Sequence, residues 1–146
     1  MDSVNAISLY ELALKAREFS YSPYSGYSVG AALLCSDGEI YTGCNIENAA
    51  FSPTVCAERV AFFKALSEGK RNFQAIAVAG GKSQCGFCTP CGVCRQVMAE
   101  FCDPDEFEVV YMGTQDIECM KLKDFLPLGF GTENVGECGM RGDVLQ

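Results

Sequence analysis

Residues 29–46 read VGAALLCSDGEIYTGCNI, two strand-like runs with a turn sequence between them. The first run is apolar and stops at Ser-Asp-Gly, residues 36–38, a combination that favours a tight turn. The second run resumes at Glu39 and continues to Ile46. The sequence therefore predicts a β-hairpin with strands over residues 29–35 and 39–46.

Helical and strand-like patterns alternate along the rest of the chain. Towards the N-terminus, apolar residues spaced three and four apart predict an amphipathic helix over 7–19, followed by a loop over 21–27. Towards the C-terminus the expected elements are, in order, a loop over 52–55, a helix over 56–68, a strand over 73–79, a loop over 80–90, a helix over 91–101, strands over 107–112 and 116–120, and a short helix over 121–126. This alternation predicts an α/β fold, a three-layer α/β/α sandwich around a mostly parallel or mixed sheet.

The helix expected over 56–68 is apolar on most of its sides. Such a helix must be covered nearly all round, which favours burial against a sheet and is compatible with a second subunit. Gly69 follows its last turn, as is common where helices end.

The size and composition of the chain indicate one compact domain. The chain has 146 residues, of which 49% are apolar, enough for a single core. We expect one domain over 1–146, with a mobile tail from about residue 136.

The N-terminus lacks the basic start and apolar core of a signal peptide, and no stretch approaches the roughly 20 apolar residues of a membrane helix. These features predict a soluble protein of the cytoplasm with no membrane partner.

The net charge and the side-chain inventory narrow the function. The formal net charge of −8 argues against a nucleic-acid partner, because binding of polynucleotides needs a basic groove, and favours a small uncharged substrate. The chain has no histidine, which excludes Ser-His and Cys-His catalytic pairs and every nitrogen-ligand metal site. It has 10 cysteines, and in a reducing compartment these are expected as free thiols and metal thiolates rather than disulfides.

Two cysteine motifs carry the candidate chemistry. Cys56 and Glu58 form C-x-E, and Pro90, Cys91 and Cys94 form P-C-x-x-C. This combination resembles the signature of zinc deaminases, in which a conserved glutamate acts as general acid and base. Cys91 and Cys94 are three apart, so at a helix start they lie on one face and can bind one metal. With Cys56 they would supply three ligands and leave the fourth tetrahedral position open, as in catalytic zinc sites.

The spacing of Cys56 and Glu58 constrains where the site can lie. Two helical positions differ by about 200° of rotation, so the two side chains cannot share one helix face. They can converge only off the N-terminal end of the helix, where backbone N–H groups are also free to bind a ligand. We therefore expect a site at two helix N-termini, whose partial positive charge favours thiolates.

Arg59 follows Glu58 directly. Three thiolates leave a Zn²⁺ site with a net charge of −1, which weakens its power to acidify water. Arg59 could offset this charge by donating hydrogen bonds to ligand sulfurs. It could equally form a surface ion pair, and the sequence alone does not decide between the two.

Four motifs spread along almost the whole chain suggest a family. They are Tyr24-Ser25 followed by VGAALL, Gly43-Cys-Asn-Ile-Glu-Asn-Ala49, Cys56-Ala-Glu-Arg59, and Pro90-Cys-Gly-Val-Cys-Arg-Gln-Val97. By these motifs the chain resembles the small homotetrameric zinc-dependent cytidine deaminases. The resemblance implies a mixed five-stranded sheet, one Zn²⁺ per chain, and hydrolytic deamination of free cytidine and 2′-deoxycytidine, with Glu58 moving protons between the attacking water and the pyrimidine.

The resemblance also implies roles for residues outside the cysteine motifs. Asn45 and Glu47 should bind the ribose 3′-hydroxyl, and residues two apart on a strand do face the same way. Tyr27 should lie against the pyrimidine, and the backbone N–H of Ala57 should bind the base carbonyl. Phe51 and Phe130 should approach the site of a neighbouring subunit in a homotetramer. Family members often have Tyr at the position of Phe51, and phenylalanine lacks the hydroxyl that would form a hydrogen bond there.

Two alternatives remain open. Cys85, Cys88, Cys91 and Cys94 are evenly spaced and could form an iron–sulfur or structural Cys₄ site. The spacing matches poorly, because the bacterial ferredoxin run has three residues before its fourth Cys and a Pro after it. The other interpretation, which we favour, leaves Cys85 and Cys88 as loop thiols outside the ligand set. The second alternative is a deaminase of another nucleoside or of a polynucleotide.

Overall fold

The computed structural model describes residues 1–135, except for the side chain of Val4. Within that range five strands and four α-helices alternate along the chain. Their bounds are α1 Ser3–Arg17, β1 Ser28–Cys35, β2 Ile40–Cys44, α2 Ala57–Ser67, β3 Phe73–Gly81, α3 Gly92–Phe101, β4 Glu108–Met112, β5 Ile117–Lys121 and α4 Leu122–Phe125, with a 3₁₀ turn over Thr132–Asn134.

The five strands form one mixed sheet in the order β2-β1-β3-β4-β5. β1 is antiparallel to both β2 and β3, β3 is parallel to β4, and β4 is antiparallel to β5. The predicted hairpin is the β1–β2 pair, in register from Gly30 opposite Cys44 to Leu34 opposite Ile40. The mixed five-stranded sheet is confirmed.

Alternating residues of the strands face two separate cores, as period-two geometry requires. On one face α1 covers a small-residue layer that includes Ala32, Ala75 and Ala77. On the other face α2 and α3 cover larger side chains, among them Leu33 and Ile76. The expected three-layer α/β/α sandwich is therefore present.

Glycines allow two helices to lie unusually close to the sheet. A Cβ on Gly30 would fall 2.0 Å from the carbonyl oxygen of Ala13 in α1. A Cβ on Gly43 would fall 2.4 Å from the carbonyl oxygen of Ala57, the first residue of α2. The second contact fixes the N-terminus of α2 against the end of β2.

The element bounds differ from the prediction mainly at α1. The helix begins at Ser3 because Asp2 caps it, with a carboxylate oxygen 2.8 Å from the backbone N of Asn5. It ends at Arg17, so Phe19, predicted on its apolar face, lies outside the helix and is 80% exposed. The predicted tail from about residue 136 lies outside the described residues. Across residues 1–135 no helix is both long and apolar enough to cross a membrane.

Candidate active site

The N-termini of α2 and α3 bring three cysteines together. Cys56 is the N-cap of α2, Cys91 is the N-cap of α3, and Cys94 lies in the first turn of α3. The sequence placed both N-caps inside their helices, but each has extended backbone geometry just before the first helical residue. The three sulfurs all lie within 4.8 Å of one another.

The spacing of the sulfurs fits a tetrahedral zinc ion. Cys56 Sγ lies 3.7 Å from Cys91 Sγ. Two sulfurs bound to one tetrahedral Zn²⁺ at 2.3 Å each would lie about 3.8 Å apart. Three thiolate ligands are also a donor set that Zn²⁺ prefers, and they leave its fourth position open. The residues present therefore fit this metal in the type of their donor atoms and in the spacing of Cys56 and Cys91.

Positive charge and hydrogen bonds stabilise the Cys56 thiolate. A hydrogen bond from Cys94, and then one from Arg59, lowers the pKa of Cys56 to about 5. Arg59 reaches the sulfur with a terminal guanidinium nitrogen at 3.4 Å. The same guanidinium also hydrogen-bonds Cys94. Of the two interpretations of Arg59, hydrogen bonding to ligand sulfurs and a surface ion pair, the structure therefore supports the first.

Glu58 lies beside this cluster and is only 4% exposed. Its Oε2 accepts a hydrogen bond from the Cys94 thiol at 3.5 Å. Burial, assisted by the nearby Cys56 sulfur, raises the pKa of the Glu58 carboxyl to about 7. A carboxyl with this pKa can both take and give a proton near neutral pH, which is the requirement for a general acid and base.

A cavity of about 430 Å³ opens over the cluster, a volume in the range of small-molecule pockets. Six of the residues predicted for the site line it: Tyr27, Asn45, Glu47, Cys56, Glu58 and Cys91. It is also lined by residues that the sequence did not indicate, namely Ser25, Val29, Thr54, Val55, Phe87, Cys88 and Thr89.

Asn45 follows the end of β2 and is held by three hydrogen bonds. Its Oδ1 accepts from the backbone N of Val29 at 2.8 Å and from the hydroxyl of Ser20, and its Nδ2 donates to the carbonyl of Tyr27 at 2.8 Å. These bonds fix the side chain on the wall of the cavity while one Nδ2 hydrogen is left for a ligand.

Glu47 is held by the loop that precedes β1. Its Oε1 accepts from the backbone N of Tyr24 at 2.9 Å and of Ser25 at 3.1 Å, and its Oε2 accepts from the Ser25 hydroxyl at 2.5 Å. The hydrogen bond from the Ser25 side chain is the main cause that lowers the pKa of Glu47 below its usual value. Glu47 therefore presents an oriented carboxylate to the cavity.

Of the remaining predicted residues, some lie at the cavity and others lie away from it. Tyr27 lines the cavity, and Ala57 is fully buried at the first position of α2, where backbone N–H groups have no partner within the helix. Phe51 is 69% exposed and packs edge-on against Tyr24, and Phe130 is 62% exposed. Neither phenylalanine lines the cavity of its own chain.

Cys85 and Cys88 do not join the metal-binding cluster. Within residues 1–135, the only group of three or more potential metal ligands is Cys56, Cys91 and Cys94. Cys88 instead hydrogen-bonds the hydroxyl of Tyr27. This arrangement contradicts the Cys₄ alternative.

Similarity to known proteins shows the family of this chain. A family model described as the cytidine and deoxycytidylate deaminase zinc-binding region matches residues 4–112, the segment that contains the three cysteines and Glu58. The chain belongs to the cytidine and deoxycytidylate deaminase family.

Relatives within the deaminase family cover most of the chain. It is 51% identical over 121 residues to a cytidine deaminase of Sporosarcina psychrophila, a match that covers 83% of this chain and 88% of the relative. It is 47% identical over 131 residues to a cytidine deaminase of Halalkalibacterium halodurans, covering 88% and 96%. The crystal structure of a Burkholderia pseudomallei cytidine deaminase superimposes with a TM-score of 0.77 at 45% identity, covering 89% of this chain and all of the other.

Sequence reasoning about this deaminase missed the residues that hold the substrate-facing side chains. Ser25 lies in the loop predicted over 21–27 and Ser20 directly precedes it, and the sequence predicted no role in the site for either hydroxyl, yet these hydroxyls bind Glu47 and Asn45 respectively. The single signal was the recurrence of Ser in a loop next to a predicted site residue. A sequence pattern does not show which side chain each hydroxyl will reach, since the partners are 22 and 25 positions away.

Proposed function

We propose that the protein is a zinc-dependent cytidine deaminase that converts cytidine and 2′-deoxycytidine to uridine and 2′-deoxyuridine with release of ammonia. The observation that carries this proposal is a buried Glu58 beside three convergent cysteine sulfurs, opening onto a cavity of about 430 Å³. Relatives named cytidine deaminase at 47–51% identity support the same activity.

Glu58 moves the protons of the reaction. Cys56, Cys91 and Cys94 would hold the Zn²⁺, which would supply the Lewis acidity that lowers the pKa of water towards neutrality. Glu58 accepts a proton from the attacking water and delivers it to N3 of the pyrimidine. It then takes the second proton from the hydroxyl newly bound at C4 and delivers it to the departing amine, which leaves as ammonia. Burial raises the pKa of the Glu58 carboxyl above its usual range, which favours uptake of a proton by this side chain. Arg59, 3.4 Å from the Cys56 sulfur, offsets the negative charge of the thiolates.

The sugar is recognised by Asn45 and Glu47. Both face the cavity with their side chains already oriented, so little conformational entropy is lost when a hydroxyl binds between them. A carboxylate can only accept hydrogen bonds, so Glu47 selects a ligand with a free hydroxyl. The 3′-oxygen inside a polynucleotide strand carries no proton, which favours a free nucleoside as substrate.

The base lies against Tyr27, and its carbonyl accepts a hydrogen bond from the Ala57 N–H. Phe51 and Phe130 belong to sites of neighbouring subunits in a homotetramer. Their exposure in the single chain supports this assignment. An apolar face on α2 and α3 supports it further, since Phe63 is 48% and Val93 57% exposed.

We assign the whole chain to one deaminase domain that acts in pyrimidine salvage in the cytoplasm. Cys91 is exposed and Cys56 half-buried, and both are free thiols among the described residues. Such a metal site is compatible with a reducing compartment, in which thiols persist.

A substrate panel tests the proposal. The purified protein is incubated with cytidine, 2′-deoxycytidine, cytosine and a cytosine-containing oligonucleotide, and deamination is followed by ultraviolet absorbance. We expect turnover of the two nucleosides and none of the free base or the oligonucleotide. Activity on the oligonucleotide alone would favour a polynucleotide deaminase, and inertness towards both nucleosides would overturn the proposal.

A further inference from the structure

Arg17, the last residue of α1, binds the ends of two strands that lead into the cavity. Its Nε donates a hydrogen bond of 2.8 Å to the carbonyl of Ser28, the first residue of β1. Its Nη2 donates to the carbonyls of Gly81 at 2.8 Å and of Lys82 at 2.9 Å, where β3 ends. Ser28 and Gly81 lie opposite each other in the antiparallel β1–β3 pair. One side chain therefore joins the start of β1 to the end of β3.

Close packing of α1 on the sheet fixes the point from which this side chain extends. A Cβ on Gly30 would overlap the backbone N of Arg17 and would fall 2.9 Å from its Cα. The last turn of α1 therefore lies directly against β1, and the Arg17 side chain is half-buried. A side chain that starts from a fixed backbone loses less freedom when it forms three hydrogen bonds.

On the β1 side, the carbonyl that Arg17 binds lies within a wall of the cavity. Ser28 stands between Tyr27 and Val29, which both line the cavity. The carbonyl of Tyr27 and the backbone N of Val29 also bind the side chain of Asn45, at 2.8 Å each. A shift of the chain at Ser28 would therefore displace both Tyr27 and Asn45.

On the β3 side, Gly81 lies where the chain leaves the sheet and turns towards the cavity. A Cβ on Gly81 would overlap the carbonyl oxygen of Gln84, so the chain folds back closely on itself here. A Cβ on Gly80 would fall 2.5 Å from the sulfur of Cys88, which lines the cavity. Because this sulfur occupies the space beside Gly80, a shift at the end of β3 would move a second wall of the cavity.

The start of α3 has a separate anchor. Arg95 donates from Nε to the carbonyl of Pro90 at 2.7 Å and from Nη1 to the carbonyl of Phe125 at 2.9 Å. Pro90 directly precedes Cys91, one of the three clustered cysteines. Loss of the Arg17 side chain should therefore disturb the walls that face the nucleoside and leave the metal-binding cysteines in place.

We propose that Arg17 is a positioning residue of the nucleoside site, whose guanidinium sets the separation of the cavity walls formed by residues 21–29 and 82–90. The planar guanidinium directs its donors in fixed directions, which the single ammonium of a lysine cannot reproduce. Walls that are already in place when the nucleoside arrives cost less ordering entropy on binding, so the effect belongs to KM. This inference rests on the proposed function, because the cavity is taken to be the cytidine site.

The test uses Arg17→Ala and Arg17→Lys, with Arg71→Ala as the matched control. Arg71 is also half-buried and donates to the carbonyls of Leu66 at 2.9 Å and Lys70 at 2.7 Å, but it lies at the C-terminal end of α2 and does not line the cavity. We would measure KM and kcat for cytidine, zinc content, stability in urea, and hydrogen exchange of the backbone over 21–29 and 82–90. Each measurement is repeated with millimolar guanidinium, which is too dilute to unfold the protein.

Arg17→Ala should raise the KM for cytidine about 10-fold, with little change in kcat and with zinc retained. Hydrogen exchange should become faster in both segments. Added guanidinium should restore KM and slow the exchange, because the half-buried site is open to a small cation once the side chain is removed. Arg17→Lys should raise KM less and should not respond to guanidinium. Arg71→Ala should lose stability but keep the KM of the parent enzyme.

A parent-like KM in Arg17→Ala, or in Arg17→Lys should the alanine variant not fold, would overturn the inference. An equal rise of KM in an Arg71→Ala protein of similar stability would do so too, since it would reveal a general effect of lost stability. A KM and an exchange rate in Arg17→Ala that guanidinium leaves unchanged would also count against it. Failure of the proposed function would show separately, as inactivity of the parent enzyme, because hydrogen exchange reports on the two walls without turnover.

Discussion

At position 58 a carboxyl group with all but 4% of its surface buried lies 3.5 Å from a cysteine sulfur. Burial disfavours the charged form of a carboxyl, and here it raises the pKa of Glu58 to about 7, a perturbation typical of functional sites. We therefore expect Glu58→Gln to bind zinc normally but to lose activity by a factor of about 10² to 10⁴. Metal analysis and the ultraviolet assay with cytidine measure the two effects separately.

The control for this variant is Glu11→Gln, which makes the same chemical change at an exposed position of α1. Glu11→Gln should keep both zinc and activity. A zinc-replete Glu58→Gln protein with near-normal turnover would remove Glu58 from the mechanism.

Glu47 offers a second residue-scale prediction. Glu47→Gln keeps the shape of the side chain but removes its charge, and hydrogen bonds to charged groups are stronger than those to neutral ones. The KM for cytidine should rise about 10-fold to 100-fold. The parent enzyme should discriminate strongly between cytidine and 3′-deoxycytidine, whereas the variant should hardly discriminate. Equal discrimination by both proteins would contradict a contact between Glu47 and the 3′-hydroxyl.

Glu47 also has a pH signature. The hydrogen bond from Ser25 lowers the pKa of Glu47, so the carboxylate is ionised at every pH above that lowered pKa. Sugar binding by the charged form is therefore lost only when the pH falls through the lowered pKa. The Glu47 charge should add no pH dependence to the KM for cytidine near neutrality.

Individual residues of the site were predictable to different degrees. The spacing of Cys91 and Cys94 places both sulfurs at one helix start, and the resemblance to the zinc-deaminase signature adds Cys56, so the cluster could be predicted from sequence. The roles of Ser20 and Ser25 could not, because a hydroxyl in a loop has many possible partners and only the folded chain selects one.

At the scale of elements, the approach of α2 to β2 places the metal site. Gly43 allows this approach, since a Cβ there would fall 2.4 Å from the Ala57 carbonyl and 2.7 Å from the Ala61 nitrogen, both rigid backbone atoms. Gly43→Ala should lower the free energy of unfolding by about 1–3 kcal/mol, as overpacking does. Because Cys56 caps α2, the variant should also release zinc more readily.

Urea unfolding and competition with a chelator measure these two effects. Gly86→Ala is the matched control, because a Cβ at Gly86 meets nothing within 4 Å. Equal stability and equal zinc retention in Gly43→Ala and the control would contradict the view that close packing of α2 on β2 positions the site.

Elements were predicted well where periodicity was strong and less well at their ends. Hairpin, helices and strands follow from apolar spacing, and the mixed sheet is confirmed. The start of α1 was missed because Asp2, rather than a residue near Ile7, caps the helix. Capping depends on one local hydrogen bond, which spacing of apolar residues does not reveal.

At the scale of the whole molecule, α2 and α3 present an apolar face with exposed Phe63 and Val93. If this face joins subunits of the proposed homotetramer, Phe63→Glu should weaken assembly. Activity should then fall, because each site would lose the residues that neighbouring subunits contribute to it. Burial of one such side chain is worth about 1.5–3 kcal/mol, enough to shift the tetramer visibly at micromolar concentration.

Size-exclusion chromatography with light scattering measures this effect. Phe19→Glu is the control, because Phe19 is 80% exposed but lies outside that face. An unchanged oligomer in Phe63→Glu, or a stable monomer of the parent protein, would contradict the proposed arrangement. The sequence indicated an apolar α2 but could not show which side of it would remain uncovered, since that depends on how α3 packs.

The zinc titration of activity tests the central claim most directly. Zinc is removed with a chelator under reducing conditions, Zn²⁺ is added back in steps, and uridine formation from cytidine is measured at each step. We predict no turnover without zinc, a linear rise, and a break at one equivalent per chain, in a protein that stays colourless. Full activity in the metal-free protein, or a preparation that binds iron and turns brown, would contradict a deaminase built on Cys56, Cys91, Cys94 and Glu58.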